Sequence, residues 1–220
     1  MALSDAQIDR FSRQIILPQV GGTGQERLLR SSVAIIGAGG VLEIVALYLA
    51  GAGIGRIALR STERVRRAVA ALDPEVRVVP ADATLRGIDA DVLVACDAPP
   101  AELADAAASA RPLVAGGAGA QRGWLVVADQ PGICASCAAR QATGAQPVGA
   151  SPHAADAAGL SPAAGVVGSL MAIAVLKLRL GLAAPARPVW RRFDAADASL
   201  TEHAIVSGAD CPACAAAHTR

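Results

Sequence analysis

The stretch from Ser32 to Ala50 constrains the fold of this chain more than any other. The β-branched and apolar run 33–36 ends at Gly37, Gly39 and Gly40, and an apolar helical segment follows immediately. A strand, a glycine turn and a helix in this order open many nucleotide-binding α/β domains, because glycines let backbone N–H groups approach a phosphate at the helix N-terminus. A plain β–α unit with a tight turn and no ligand remains an alternative interpretation.

Two residues of this stretch depart from the G-x-G-x-x-G pattern. Leu42 stands where the third glycine normally permits close packing of the helix on the strand. Glu43 follows it in the first part of the helix, where a carboxylate is expected to repel a bound phosphate. The turn therefore predicts the β–α architecture, but it does not by itself identify a ligand.

The remaining pattern predicts a Rossmann-like, doubly wound and mostly parallel α/β sheet with a C-terminal antiparallel extension. A helix over 4–14, capped by Ser4 or Asp5, is expected to form an arm before the first strand, and the glycines at 21–24 are expected to interrupt the chain. Gly51 is the predicted C-cap of the first long helix. Gly116, Gly117, Ala118 and Gly119 are expected to follow a strand, and 141–159 to form a mobile loop. Further strands are predicted at 56–59, 76–79, 91–96, 112–115, 123–128, 188–194 and 199–206, and further helices at 63–72, 101–110 and 162–180.

Length and charge limit the classes of protein to consider. A chain of 220 residues suits one compact domain, divided here into an N-terminal helical arm (1–30), a nucleotide-binding-type half (31–130) and a zinc-knuckle and C-terminal half (131–220). The net charge of +1 gives no indication of a nucleic-acid or anionic-membrane partner. The N-terminus lacks a signal-peptide pattern, and the apolar stretch 165–176 is shorter than a bilayer span. We therefore expect a cytoplasmic protein that does not contact membranes.

Two C-x-x-C knuckles are the most specific motifs in the chain. Cys134 and Cys137 form the first knuckle, and Cys211 and Cys214 form the second. Four thiolates are the closed tetrahedral set that structural Zn²⁺ takes, so the sequence predicts a zinc ion that joins the C-terminus to the middle of the chain. A redox-active pair is the alternative. The fifth cysteine, Cys96, lies in an apolar strand and is interpreted as a small buried residue.

The ends of the predicted strands supply further candidates. Asp97 follows the strand 91–96, at the edge where open α/β sheets bind ligands. After the strand 56–59, a dinucleotide fold usually presents an acidic residue to the ribose, but this chain presents Arg60, Ser61 and Arg64. Those residue types accept a 2′-phosphate, which leaves an NADP-dependent oxidoreductase as one alternative function. The arginines of the following helix, Arg64 among them, are otherwise expected to form a solvated face.

Several motifs in a fixed order resemble the ThiF/MoeB/HesA family of ubiquitin-activating-type adenylyltransferases. They are Arg10 to Ile15, Gly21 to Gln25, Val33 to Gly40, the two cysteine knuckles, Gly165 to Ser169, and Phe193 to Ala195. The resemblance extends from Leu3 to Cys214. It implies a homodimer that binds ATP and Mg²⁺ and adenylates the C-terminal carboxylate of a small ubiquitin-like or sulfur-carrier protein, releasing pyrophosphate.

The resemblance also assigns roles to individual residues. It implies that Gly37, Gly39 and Gly40 face the nucleotide phosphates, and that Arg13 reaches the phosphates of the partner subunit. Asp97 lies beside the place of a metal-associated aspartate, which strictly falls on Ala98. The zinc ligands implied by the family are the same four cysteines, Cys134, Cys137, Cys211 and Cys214.

Other family positions carry different residues here. The ribose-binding acidic residue falls at about Ser61, and the segment that carries an Asn, an Arg and a Lys for the phosphates is absent between the strand 56–59 and the helix 63–72. A cysteine of many members falls at about Ala155. These departures favour a degenerate member, a zinc-containing dimeric scaffold that binds a carrier protein, a peptide tail or an active paralogue. A divergent but active adenylyltransferase is the competing hypothesis.

Overall fold

The computed structural model describes residues 3–81, 88–109, 111–129, 133–143, 161–182, 188–208, 210, 211 and 214. Its strands form a single sheet with helices on both faces. The strands are β1 (Ser32–Gly37), β2 (Arg56–Leu59), β3 (Arg77–Pro80), β4 (Val92–Cys96), β5 (Leu113–Ala118), β6 (Arg122–Ala128), β7 (Val189–Asp194) and β8 (Ser199–Ala204). The helices are α1 (Asp5–Ile15), α2 (Gly21–Leu29), α3 (Gly39–Gly51), α4 (Glu63–Leu72), α5 (Pro100–Ala107), α6 (Ala135–Thr143) and α7 (Pro162–Leu180).

The sheet has the order β3-β2-β1-β4-β5-β6-β7-β8. The first five strands in this order are parallel, and β6, β7 and β8 are added antiparallel. The chain winds outward from β1 to β3 and then returns to the other side of β1 with β4. This reversal creates a crevice beyond the carboxyl ends of β1 and β4, which is where open α/β sheets bind ligands. The predicted fold class is confirmed.

Two apolar layers hold the helices on the sheet. On one face, α3 and α7 cover strand residues such as Ile35 and Val94, and on the other face α5 and α6 cover Trp124 and Leu93. Small residues bring α3 and α7 close together, since a Cβ at Gly168 would lie 2.7 Å from Ile44. The core contains few aromatic residues, and it is well packed because the backbones of α3 and α7 lie close together.

Helix α7 has the bounds 162–180 that the sequence predicted and extends beyond the apolar stretch 165–176 at both ends. Ser161 caps it by accepting a hydrogen bond from the Ala164 N–H at 3.1 Å, and Gly181 ends it with φ of +71°. By length and composition alone its 19 residues could cross a membrane, a test that a buried core helix also passes. In the structure, Val167, Met171 and Val175 of α7 are fully buried in the core cluster that also contains residues of α3 and the sheet.

Several expected element boundaries need correction. The glycines at 21–24 belong to α2 and do not interrupt the chain, because only Gly21 has a positive φ. Gly51 is the last residue of α3, and Ala52 is the cap. Gly116 and Gly117 lie inside β5, opposite Leu125 and Trp124, because a Cβ at either position would lie less than 3 Å from a neighbouring atom. The sequence missed α6, which includes residues 141–143 of the expected loop. The rest of that loop, 144–159, lies outside the described residues. The division into parts 1–30, 31–130 and 131–220 stays a prediction.

Candidate functional site

The glycine turn between β1 and α3 is shaped first by strand packing. Gly37 has φ of +107°, and a Cβ there would lie 1.7 Å from the carbonyl oxygen of Cys96 on β4. Gly39 also has a positive φ, +79°. The backbone N–H of Ala38 donates to the same Cys96 oxygen at 3.0 Å. Gly37 is thus required by the close approach of β4 whether or not a ligand binds.

The N-terminus of α3 is nevertheless open toward the crevice. Ala38 is its N-cap, and among the described residues no side-chain capping hydrogen bond is formed at this end. Those groups and the helix dipole favour an anion. In place of the family's third glycine, Leu42 is only 2% exposed and belongs to the core, so this departure is absorbed by packing.

The arginines beside the crevice are paired with carboxylates. Arg64 Nη2 lies 2.8 Å from Glu43 Oε1, and Arg60 bonds to Glu102 of α5. On the same helix as Arg64, both Arg66 and Arg67 contact Glu63. Arg64 and Arg67 are nevertheless largely exposed, as expected for a solvated helix face, and the charge of Glu43 is not isolated.

Asp97 lies at the carboxyl end of β4, in the crevice, with an unusual backbone. Its φ is +48°, and its Oδ1 accepts a hydrogen bond from the Ala118 N–H at 3.0 Å. Burial raises the pKa of Asp97 to about 7, and the bond from Ala118 partly opposes that rise. Gly117 leaves room for this carboxylate, since a Cβ there would lie 2.3 Å from Asp97 Oδ1. By contrast, Ala98 is buried in the apolar layer.

The structure does not bring Arg13 to the crevice of its own chain. Helix α1 is attached at the opposite end of the sheet, where Gln7 bonds to Glu75 at 2.6 Å and Arg10 lies 3.5 Å from Asp73. Phe11 packs beside Gly53, in the loop that enters β2. Strands of four to six residues span roughly 13–20 Å, so Arg13 is separated from Gly39 by about the length of a strand. The Arg13 side chain is exposed.

The four knuckle cysteines come together in one cluster. Cys134 Sγ lies 3.7 Å from Cys211 Sγ, Cys137 Sγ lies 3.6 Å from Cys214 Sγ, and all four Sγ atoms are within 4.8 Å of one another. In a zinc site with Zn–S bonds of about 2.3 Å, tetrahedral geometry separates the sulfurs by about 3.8 Å. The cysteines could therefore bind a metal such as zinc. Both of these close contacts join one knuckle to the other, which favours a shared site over a redox pair within either knuckle.

Burial and mutual contacts shift the ionisation of these thiols in different directions. Burial raises the pKa of Cys134, and it raises the pKa of Cys214 to about 11. For Cys211, burial acts in the same direction but is outweighed by hydrogen bonds from the Cys214 backbone and the neighbouring thiols, which lower its pKa. Four thiolates this close repel one another unless a metal ion neutralises them. The backbone N–H of Gly208 also donates to Cys137 Sγ, at 3.4 Å.

Comparison with known proteins gives the family. The ThiF family model matches residues 11–68. The sulfur carrier protein adenylyltransferase of Thermus thermophilus is 32% identical, over 97% of this chain and 93% of that protein. This chain belongs to the ThiF/MoeB family. The ThiS adenylyltransferase of Escherichia coli is 28% identical to it over 96% of the chain. The pig adenylyltransferase and sulfurtransferase MOCS3 is 33% identical, over 82% of the chain and 47% of its own length.

Solved structures agree on the fold of this ThiF/MoeB-family chain. The microcin C7 biosynthetic enzyme MccB in complex with N-formylated MccA has a TM-score of 0.70 at 18% identity, over 96% of this chain and 77% of that one. PaaA has a TM-score of 0.68 at the same identity and covers 93% of the chain. At this identity, the similarity supports the eight-stranded architecture only.

Within this fold, sequence reasoning missed the ion pairs around the crevice. Arg60 and Glu102 are 42 residues apart, and Glu43 and Arg64 are 21 apart, so neither pair has a local spacing that reveals it. The predicted topology was the one signal that could have indicated these ion pairs. Residues that follow β2 and residues in the first turns of α3 and α5 must meet at the carboxyl edge of a doubly wound sheet.

Proposed function

We propose that this ThiF/MoeB-family chain is a dimeric, zinc-containing binding partner for a carrier-protein tail, a peptide or an active paralogue, and that it does not carry out ordinary adenylation. The observation that carries the proposal is the state of the nucleotide crevice. Only residues 60–62 separate β2 from α4, Ser61 stands at the ribose position, and Arg60 and Arg64 are held by carboxylates.

The chemistry of adenylation explains why these changes matter. A carboxylate attacks the α-phosphorus and pyrophosphate leaves, so the reaction needs concentrated positive charge around the phosphates and little acid–base catalysis. Loss of one preorganised donor in such sites costs on the order of a hundredfold or more in rate. A crevice whose arginines are already neutralised by Glu43 and Glu102 lacks that charge.

The homodimer is supported by the outer faces of α3 and α7. Tyr48 and Ile173 are 57% and 51% exposed on two helices that are otherwise largely apolar, and Ile16 is 76% exposed after α1. A two-fold axis through this helical layer and perpendicular to the strands would place the amino ends of one sheet beside the carboxyl ends of the other. Arg13, which is remote from its own crevice, would then lie near the crevice of the partner.

The metal centre supports a structural role for zinc. Cys134 and Cys137 lie at the start of α6, whereas Cys211 and Cys214 follow β8. A zinc ion bound by all four cysteines would attach the segment that follows the edge strand β8 to helix α6. Helix α6 covers the face of the sheet opposite α3 and α7. The cluster is remote in sequence and in the sheet order from the β1–β4 crevice, which indicates stabilisation and not catalysis.

An active adenylyltransferase is the second candidate, and two observations favour it. The similarity to the Thermus thermophilus enzyme covers nearly the whole of both chains. The N-terminus of α3 is open and lies beside Asp97, which could help to hold Mg²⁺ when ATP is bound. An NADP-dependent oxidoreductase has no remaining support, because Arg60 and Arg64, which suggested it, are paired with carboxylates.

The test is ATP–pyrophosphate exchange with a carrier protein ending in Gly-Gly, together with calorimetry of ATP and Mg²⁺. We expect no exchange and no binding heat from a stable dimer that contains one zinc per chain. Exchange that Arg13→Ala abolishes would refute the scaffold proposal and establish the enzyme. Arg67→Ala is the matched control, since Arg67 is an exposed arginine on the outer side of α4.

A further inference from the structure

The inference concerns an apolar groove between the outer side of α7 and the strands β6 to β8. Its volume is about 310 Å³, and eight of its ten lining residues are apolar, while the other two are Lys177 and Arg191. Two buried side chains of β6, Leu125 and Val127, form its floor. None of the described helices packs closely on β8, and Leu200 at the rim is 46% exposed. An apolar cavity of about 300 Å³ or more with few polar groups is typical of a small-molecule site.

One wall of the groove is a second apolar stripe of α7. Its residues recur at the i, i+3, i+4, i+7 and i+8 spacing of one helix face. They are Leu170, Ile173, Ala174, Lys177 and Leu178. The core is packed by a different stripe, which includes Val167, Met171 and Val175. At about 1.5 Å per residue the outer stripe is about 12 Å long, which suits an extended medium-chain alkyl group.

The positive charge at the rim is distinctive for this chain. Lys177 is the only lysine among the 20 lysine and arginine residues of the sequence. Arg191 is neutralised by Glu202, whose Oε1 lies 2.6 Å from its Nη2, whereas Lys177 forms no ion pair within the described part of the chain. The Lys177 side chain is exposed. One unpaired ammonium group at the edge of an apolar groove favours a ligand with an apolar body and a single carboxylate.

We propose that this groove binds a medium-chain fatty carboxylate, with the alkyl chain on Leu125 and Val127 and the carboxylate against the Lys177 ammonium. Ten residues line the groove, whereas a stable protein interface takes about 20–30 residues on each side, so its size favours a small molecule over a second copy of the chain. The inference goes beyond the proposed function and does not depend on the nucleotide crevice. Lys177 lies in the last turn of α7, at the end of the helix remote from that edge of the sheet.

The test is calorimetric titration of the full-length zinc-loaded protein with decanoate below its micelle concentration. We expect octanoate, which has two fewer methylenes, to bind about tenfold more weakly, because less apolar surface is buried. Lys177→Gln should weaken decanoate binding about fivefold, Lys177→Arg should keep the wild-type affinity, and neither should change the binding of decanol.

A rim variant tests the place of the alkyl chain. Leu200→Glu should abolish decanoate binding, because it puts a second carboxylate beside the apolar lining. Leu72→Glu is the matched control, since Leu72 is 42% exposed at the end of α4 and does not line the groove. If Leu200→Glu disturbs β8, the two Lys177 variants still decide the outcome, because they change an exposed side chain.

The single lysine also provides a readout at the site itself. An amine-reactive acetylating reagent modifies Lys177 and the N-terminal amine, and mass spectrometry follows the two separately. Saturating decanoate should slow the labelling of Lys177 severalfold and leave the N-terminal amine unchanged. Decyltrimethylammonium, which has the same alkyl length but a positive charge, should protect neither amine.

Several results would overturn the inference. Absence of decanoate binding would do so, and so would equal binding of decanoate, decanol and decyltrimethylammonium, which would indicate general apolar adsorption. A Lys177 that is already unreactive in a dimer would show that a second copy covers the groove. Sedimentation with phosphatidylglycerol vesicles in the absence of decanoate binding would assign the groove to a membrane surface. The proposed function is tested separately, because pyrophosphate exchange reports on the crevice and not on this groove.

Discussion

Asp97→Asn should stabilise this protein at neutral and alkaline pH but not in acid. The carboxyl group of Asp97 is partly buried at the end of β4, and burial raises its pKa from 3.8 to about 7. In the unfolded chain the group ionises near its ordinary pKa. Between these two values the folded state holds a proton that the unfolded state has released, so the free energy of unfolding falls as the pH rises.

The structure sets the size of this effect. Each unit of pKa difference is worth about 1.4 kcal/mol, so a rise from pH 5 to pH 8 should cost the wild type up to about 2.7 kcal/mol through this group alone. Partial exposure of the carboxylate to water reduces the expected figure to about 2 kcal/mol. Asparagine keeps an oxygen that can accept the Ala118 N–H bond and does not ionise, so the variant escapes this loss.

The measurement is urea unfolding of both proteins at pH 5 and pH 8. Titration of groups elsewhere is common to the two proteins and cancels in their difference. We expect the advantage of Asp97→Asn over the wild type to grow by about 2 kcal/mol between the two pH values. A pH-independent difference would show that Asp97 ionises normally in the folded protein and would refute the reasoning.

Two further perturbations test the metal centre and the glycine turn. Cys211→Ser should reduce bound zinc from about one equivalent per chain to near zero and lower the melting temperature by more than about 5 °C. The control variant Cys96→Ala should keep the metal. Zinc analysis measures the metal content, and calorimetry measures the melting temperature. Gly37→Ala should lower the free energy of unfolding by about 3 kcal/mol or more, because its Cβ would clash with the backbone of β4. In α7, the Cβ of Gly165→Ala would meet no atom within 4 Å, so this variant should raise the free energy of unfolding by up to about 1 kcal/mol. Equal effects of the two glycine substitutions in urea unfolding would contradict the packing described for Gly37.

Local patterns were sufficient to predict most elements of the fold. The run 33–36, the glycine turn and the apolar segment after it identified β1 and α3, and Pro162 with the small and aliphatic residues behind it identified α7. These predictions succeeded because strand and helix periodicities are local properties of the chain. Helix α6 was missed because it is short and consists mainly of alanines and polar residues, and its burial depends on contacts with α5, β6 and β7.

The amino-acid sequence by itself determined the doubly wound sheet, the glycine turn and the identity of the four metal-ligand candidates, because each depends on residue types at short or fixed spacings. Only the tertiary structure decided that the two cysteine knuckles converge within 4.8 Å, that Arg13 is remote from its own crevice, and that Arg60 and Arg64 are neutralised by Glu102 and Glu43. Those relations join residues that are distant in sequence, and they exist only once the sheet brings its carboxyl edge and its covering helices together.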